Sequence, residues 1–209
     1  MQWVAMITML IDHIGIVWFP DSPIWRIVGR IAFPVYTYLI AVGLSRTRSV
    51  PKYLLRLALL AVISQAPFAL LFDTYTINVI GTFFVSAAAV YGMERWKDNP
   101  LGYAFPIAAA VLLEAVAFDY GAYGLLLLLI FRYTTRHVTL LSHFGLNIIY
   151  VLLFQAPLQV FSILPTLVVA YAPSALAKAS YRAPSWLWRS FYPAHLIVLY
   201  ILAITLFRP

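Results

Sequence analysis

The chain has no cysteine among its 209 residues and only seven acidic side chains. The first absence excludes a disulfide framework, thiolate zinc sites, iron–sulfur clusters and a cysteine nucleophile. Charge is scarce as well, at 10% of residues, where a soluble domain carries about a quarter. Hydrophobic residues make up 64%, and the mean hydropathy is +0.90. A soluble core of this size cannot hide so much apolar surface, so disordered, collagen-like and ordinary cytosolic classes drop out. What remains is an all-α fold, a polytopic membrane helical bundle. No internal repeat, linker or low-complexity tract interrupts it, so residues 1–209 read as a single integral-membrane domain. The net charge of +7 would elsewhere suggest nucleic acid. In so apolar a chain, Lys and Arg report orientation in the bilayer instead, and no nucleic-acid partner is expected.

A helix needs about 20 apolar residues to cross the hydrocarbon. Breaks at charge clusters and Pro/Gly-rich turns leave nine candidate spans, at 2–19, 25–45, 52–72, 77–93, 101–118, 121–133, 139–154, 157–172 and 187–207. The sixth and seventh are short enough to be tilted or partly re-entrant. The opening segment lacks a basic n-region and a small-residue cleavage site, which predicts a retained helix rather than a signal peptide. Arg46, Arg48, Lys52 and Arg56 surround the second connection, Arg95 and Lys97 the fourth, and Arg132 and Arg136 the sixth. Lys178, Arg182 and Arg189 lie in or beside the eighth, while the odd connections carry Asp21, Asp73 and Asp119. This alternation predicts even-numbered connections inside, a cytoplasmic N-terminus and an outer C-terminus.

Ionisable groups in hydrocarbon are costly, so they face a cavity or a partner and mark function. Asp12 and His13 lie near the outer end of the first span, Arg26 and Arg30 near the start of the second. At the helical rise, His13 and Arg30 sit about 9 Å and about 8 Å below the outer surface. A short turn, Pro20 to Ile24, makes the two helices antiparallel neighbours, so the four charges fall at matching depth. Consecutive residues point about 100° apart, so the spacing predicts Asp12 paired with Arg30 or Arg26 and His13 left free for chemistry. A purely structural ion-pair network is the alternative. His195 follows Phe191-Tyr192-Pro193-Ala194, eight residues into the last span; it is a site residue or a hydrogen-bonding partner at a proline kink. Asn78, Thr82 and Ser86 form a polar stripe, as do His143, Asn147 and Tyr150, and hydrogen bonds between helices account for both. Asp119 reads as a turn former.

Seven stretches carry a resemblance. They are Met9-Leu10-Ile11-Asp12-His13-Ile14-Gly15, Gly29-Arg30-Ile31-Ala32-Phe33-Pro34, Lys52-Tyr53-Leu54-Leu55-Arg56-Leu57, Ile63-Ser64-Gln65-Ala66-Pro67-Phe68, Asn78 with Thr82, Asp119-Tyr120-Gly121 through Gly124, and Phe191-Tyr192-Pro193-Ala194-His195-Leu196. In this order they resemble the TraX family, named for a conjugation-system protein that N-acetylates a pilin subunit. One departure is Tyr171-Ala172-Pro173-Ser174-Ala175, which lacks the Asn-Gly turn common in the family.

The resemblance implies a multi-pass acetyltransferase in the plasma membrane of a bacterium, surrounded by membrane lipids. It would take acetyl from cytosolic acetyl-CoA to an amine or hydroxyl acceptor, be it a protein N-terminus, a glycan or a small molecule, with no metal. Arg46, Arg48, Lys52 and Arg56 would then bind the donor's phosphates, with Arg182 and Arg189 next, and the pantetheine arm would enter between helices. His13 would be the general base and Asp12 would hold Arg30. Arg30 or the Asn78 amide, also a donor-binding candidate, would stabilise the oxyanion. His195 would be a second proton-transfer group or a partner near the pantetheine. The same charges, Asp12, His13, Arg30 and His195, would alternatively suit the relay of a small proton-coupled transporter, although the half-repeats common in carriers are not visible.

Overall fold

The computed structural model describes residues 1–172 and 182–206. Lys178 of the eighth connection and the stretch Pro173 to Ala175 lie outside the described residues. The described helices are α1 (Gln2–Trp18), α2 (Pro23–Gly29), α3 (Ala32–Arg46), α4 (Val50–Phe72) and α5 (Val79–Arg95), then α6 (Ala104–Ala115), α7 (Gly121–Tyr133), α8 (Arg136–Phe154), α9 (Ile163–Tyr171) and α10 (Ser185–Leu206). Short 3-10 turns, Pro100–Tyr103 and Pro157–Ser162, lead into α6 and α9. There is no strand among the described residues. A lone parallel bridge between Ile77 and Phe118 ties the connection before α5 to the one before α7.

The fold differs from expectation in the second span, which breaks at Arg30–Ile31 into α2 and α3. Pro34 explains the break. It has no N–H to give the Arg30 carbonyl, and its ring crowds that carbonyl. The chain turns there instead, with Ile31 N–H donating to Val28 O at 3.2 Å. Arg30 and Ile31 keep right-handed helical dihedrals (φ −58°, ψ −16° and φ −70°, ψ −35°), so Pro23–Arg46 still runs as one apolar segment with Arg30 at its interrupted turn.

Among the described residues, four helical segments are long and apolar enough to cross a membrane: Pro23–Arg46, Val50–Phe72, Arg136–Phe154 and Ser185–Leu206. Their outer faces are inverted relative to a soluble protein. Leu55, Leu59 and Val62 on α4, and Leu141, Leu152 and Leu153 on α8, are largely exposed, a continuous apolar surface that water would not tolerate. The chain is a helical membrane protein. Its interior is built around α3, whose Phe33, Tyr36, Ile40 and Leu44 pack with Phe83 and Val90 of α5, Leu127 and Leu128 of α7, and Leu196 of α10.

Contacts fix which connections share an end. Arg132 at the close of α7 pairs with Glu94 at the close of α5 (2.8 Å) and meets Ser45 at the close of α3. Gln2 at the start of α1 accepts from Ala183 N–H just before α10 (2.9 Å). The basic connections therefore gather at one end of the bundle, with the N-terminal residues. The Asp-bearing turns meet at the other, where Thr82 donates to the Asp119 carbonyl.

Candidate active site

The α1–α2 hairpin closes because two glycines let the helices touch. A Cβ at Gly15 would stand 2.2 Å from Trp25 Cβ, and one at Gly29 would stand 2.0 Å from Asp12 Oδ1. The Asp12 carboxylate therefore lies directly on the α2 backbone. Arg26 Nη1 donates to Asp12 Oδ1 at 2.7 Å, and Arg30 Nη2 lies 3.9 Å from the same oxygen. Both pairings anticipated across the hairpin are present, with Arg26 the closer. Arg30 also donates from Nη1 to Gln159 Oε1 at 3.0 Å and sits 5.9 Å from the Tyr120 ring centre. A carboxylate, an amide oxygen and an aromatic face thus hold one guanidinium in one orientation.

His13 points away from Asp12, as their adjacency requires, and meets α10 instead. His13 Nδ1 and His195 Nε2 are 2.8 Å apart, and His195 Nδ1 lies 2.7 Å from the Phe191 carbonyl oxygen. The two rings are 16° from parallel with centroids 5.0 Å apart. Nitrogens this close at that centroid separation lie side by side in nearly one plane, as an in-plane N–H···N bond demands, rather than face to face. The protons can then be assigned. A carbonyl only accepts, so His195 carries its proton on Nδ1. Its Nε2 therefore accepts, His13 donates from Nδ1, and His13 Nε2 keeps its lone pair. The dyad thus leaves one nitrogen, His13 Nε2, with its lone pair uncommitted within the pair.

His13, Asp12, Arg26 and Arg30 line one cavity of about 490 Å³. Its aromatic wall is a stack: Tyr120 lies on Phe33 at 3.7 Å between ring centres, and Phe33 on Phe83 at 5.4 Å. Tyr120 reaches that position from a left-handed backbone, φ +63°, a strained conformation for a residue with a Cβ. Asp119, read from the sequence as a turn former, also lines this cavity. Burial pushes its carboxyl up to about 6, against the opposing pull of Arg30. Gln159, the second partner of Arg30, carried no sequence signal beyond being an amide in an apolar stretch.

Behind the wall lies a buried polar cluster. Tyr123 OH contacts His143 Nε2 (2.8 Å), Asn147 Oδ1 (2.8 Å) and Ser162 Oγ (3.1 Å), and His143 Nδ1 contacts Thr166 Oγ1 (2.7 Å). These hydrogen bonds join α7, α8 and α9, the role expected for the His143–Asn147 stripe.

A second cavity of about 520 Å³ lies between α3, α4 and α10. Of the basic residues singled out in the second connection, Arg56 lines it, whereas Arg46, Arg48 and Lys52 are exposed and line neither cavity. Arg189 joins Arg56 there. Asn78 lines neither. Its amide nitrogen donates to Ala61 O and Gln65 Oε1 at 2.8 Å each, and its oxygen caps α5 by accepting from Ile80 and Gly81. Its hydrogen-bonding capacity is used within the fold. The two cavities share Tyr36 and Phe83 as lining residues. Among the described residues no three His, Asp or Glu side chains converge as a metal site would need.

Similarity to known proteins runs along nearly the whole chain. A probable fimbrial assembly protein, FimC of serogroup H1, from Dichelobacter nodosus is 24% identical over 94% of this chain and 91% of its own length. An uncharacterized protein of Rickettsia prowazekii (strain Madrid E) is 32% identical over 44% of this chain and 35% of its own. No solved structure matches. The family pattern described as TraX protein covers residues 1–203, and with Asp12, His13, Arg30 and His195 all inside that range, the chain belongs to the TraX family.

Proposed function

We propose that this protein is an integral membrane acetyltransferase that moves acetyl from acetyl-CoA to an amine or hydroxyl acceptor, with His13 as general base. The observation that carries the reading is the His195–His13 dyad, whose hydrogen bonds to the Phe191 carbonyl leave His13 Nε2 unprotonated in a cavity shared with Arg30. His13 Nε2 takes the proton of the acceptor as its nitrogen or oxygen attacks the thioester carbonyl. The tetrahedral oxyanion is stabilised by Arg30, whose orientation Asp12 and Gln159 maintain. Collapse breaks the carbon–sulfur bond, and the departing thiolate takes the proton back from His13. The products are the acetylated acceptor and free CoA.

In this reading the chain is one acyltransferase-like unit crossing the plasma membrane of a bacterium nine times, with its N-terminus and basic end in the cytoplasm and the His13 cavity toward the outer face. The positive-inside bias supports that orientation. The name of the Dichelobacter nodosus relative supports a pilus subunit as acceptor, the N-terminal amine being the group that the family resemblance implies.

The test uses membrane vesicles carrying the full chain, supplied with acetyl-labelled acetyl-CoA on the side of the basic end, and follows label into membrane protein, glycan and lipid fractions. Wild type transfers label to one fraction, His13→Ala slows this by about 100-fold or more, the usual contribution of a general base, and Arg30→Lys impairs it because the planar fork is lost. Label transfer unchanged by His13→Ala would end the proposal.

A further inference from the structure

We propose that the second cavity is the seat of the donor's phosphopantetheine arm, with the phosphate end at Arg56 and Arg189 and the thioester end at Tyr36 and Phe83. This inference rests on the acetyltransferase reading and adds to it the path by which the donor reaches His13.

The cavity is apolar along its length, and its charge is confined to one end. Leu57, Leu60 and Ile40 form its walls, and Arg56 and Arg189 are the charged residues that line it. That is the pattern of a ligand with an anionic head and a thin uncharged tail. Guanidinium groups bind phosphate through paired, charge-assisted hydrogen bonds. Positive-inside bias explains arginines at that end of the bundle but not their convergence on one slot. Arg46, Arg48 and Lys52 at the same end line neither cavity.

The far end adjoins the cavity of the reactive groups. Tyr36 and Phe83 line both cavities, so a molecule reaching the end of the second touches the wall of the first. The Tyr36 side chain is fixed by stacking on Trp188, 5.1 Å between ring centres. Tyr192, 4% exposed, lines the second cavity as well, and its buried hydroxyl makes no hydrogen bond among the described residues. A buried phenol without a partner is costly; the carbonyl of an arm lying beside it would satisfy its O–H.

Distance along the helix agrees. Arg189, Tyr192 and His195 follow one another on α10, and six residues of helix rise about 9 Å. A phosphopantetheine arm runs thirteen bonds from phosphorus to sulfur, a little over four residue lengths, and spans up to about 15 Å when extended, so the rise lies within its reach with slack for a bent arm. With its phosphate at Arg189, the arm can therefore reach the level of the histidine dyad.

The absence of cysteine makes a direct test available. Phe83→Cys and, separately, Ile40→Cys place one thiol in the cavity, and Ala110→Cys on α6 serves as a control. The purified full chain is incubated with CoA disulfide. The introduced thiolate attacks one sulfur, forms a protein–CoA disulfide and releases one CoA thiolate, which intact mass reads directly. The proposal expects adducts at positions 83 and 40 that form at least tenfold faster than at 110, are suppressed by acetyl-CoA, and slow when Arg56→Gln and Arg189→Gln are combined. Repeating the reaction in phosphatidylglycerol and in phosphatidylcholine vesicles separates the two sources of a phosphate head. Suppression by phosphatidylglycerol alone would assign the slot to an anionic lipid and overturn the proposal. So would equal rates at all three positions, or no protection by acetyl-CoA. Adducts that meet these criteria without any acetyl transfer in vesicles would leave the arm site standing and remove the acetyltransferase reading. Transfer without adducts would do the reverse.

Discussion

At the scale of single residues, the site depends on two features that pure side-chain chemistry does not reveal. The first is the missing Cβ of Gly29. Asp12 Oδ1 occupies the space where that atom would be, 2.0 Å away, so Gly29→Ala must push the carboxylate off both arginines. The expected outcome is a stability loss of about 1–3 kcal/mol, the range for breaking a buried charged network, together with at least a tenfold fall in acetyl transfer. Thermal unfolding in detergent and the vesicle assay read the two; an unchanged turnover would mean that Asp12 does not position Arg30. The second feature is Asp119, whose carboxyl burial pushes up to about 6. An acid that titrates higher when folded than its unfolded value of about 3.9 binds its proton more tightly in the native state. Its contribution therefore favours folding at low pH and is withdrawn as pH rises from about 4 through about 6. Asp119→Asn removes that penalty. The variant should melt at a higher temperature than wild type at pH 8, and the difference should vanish near pH 4. A gain independent of pH would point to packing rather than ionisation.

At the scale of elements, the break between α2 and α3 matters more than either helix. Pro34 denies a hydrogen bond to the Arg30 carbonyl, and from that interrupted turn Arg30 reaches Gln159, 3.0 Å away on the turn before α9. Pro34→Ala restores the missing donor and favours one continuous helix. That variant should be as stable as wild type or slightly more so, yet slower in transfer, because Arg30 would move with the straightened helix. Stability and activity falling together would instead indicate that Pro34 serves packing alone. The sequence made the elements legible but not this interrupted turn. Charge clusters and proline-rich turns marked where helices stop, and the nine apolar stretches fall close to the helical segments of the structure. The cue to the interrupted turn was Pro34, the tenth residue of the 25–45 span, where an interior proline interrupts the helical hydrogen bonds; apolar composition alone ran the span through it. The same limit applies to Asn78. Its stripe with Thr82 and Ser86 was visible, but only the path of α4 beside it reveals that Ala61 and Gln65 use its amide.

At the scale of the whole molecule, the long-range pairings were the least legible part of the site. The depth-matching of Asp12 with Arg26 and Arg30 followed from a short turn, because local chain geometry dictates it. His13 with His195, Arg30 with Gln159, and the convergence of Arg56 with Arg189 each depend on how distant helices pack, which periodicity does not encode. Orientation belongs to this scale too. The basic connections share one end of the bundle and the Asp-bearing turns the other, so a single experiment on two positions fixes the topology. In the cysteine-free chain, Asp21→Cys and Lys97→Cys sit at opposite ends. With a membrane-impermeant maleimide added to intact cells, Asp21→Cys should label at once, and Lys97→Cys only after the membrane is opened. The reverse pattern would put the basic end outside, away from cytosolic acetyl-CoA, and the Arg56–Arg189 slot would then have no access to its proposed donor. Labelling of both positions in intact cells would mean that the chain does not separate its charges across the bilayer at all. The expected pattern places the slot's charged mouth in the compartment that holds the donor and the His13 cavity toward the opposite face, with Tyr36 and Phe83 between them. Under the proposed function, acetyl would then be handed across the Tyr36–Phe83 wall that the two cavities share, while the charged head of CoA stays on the side where it is made.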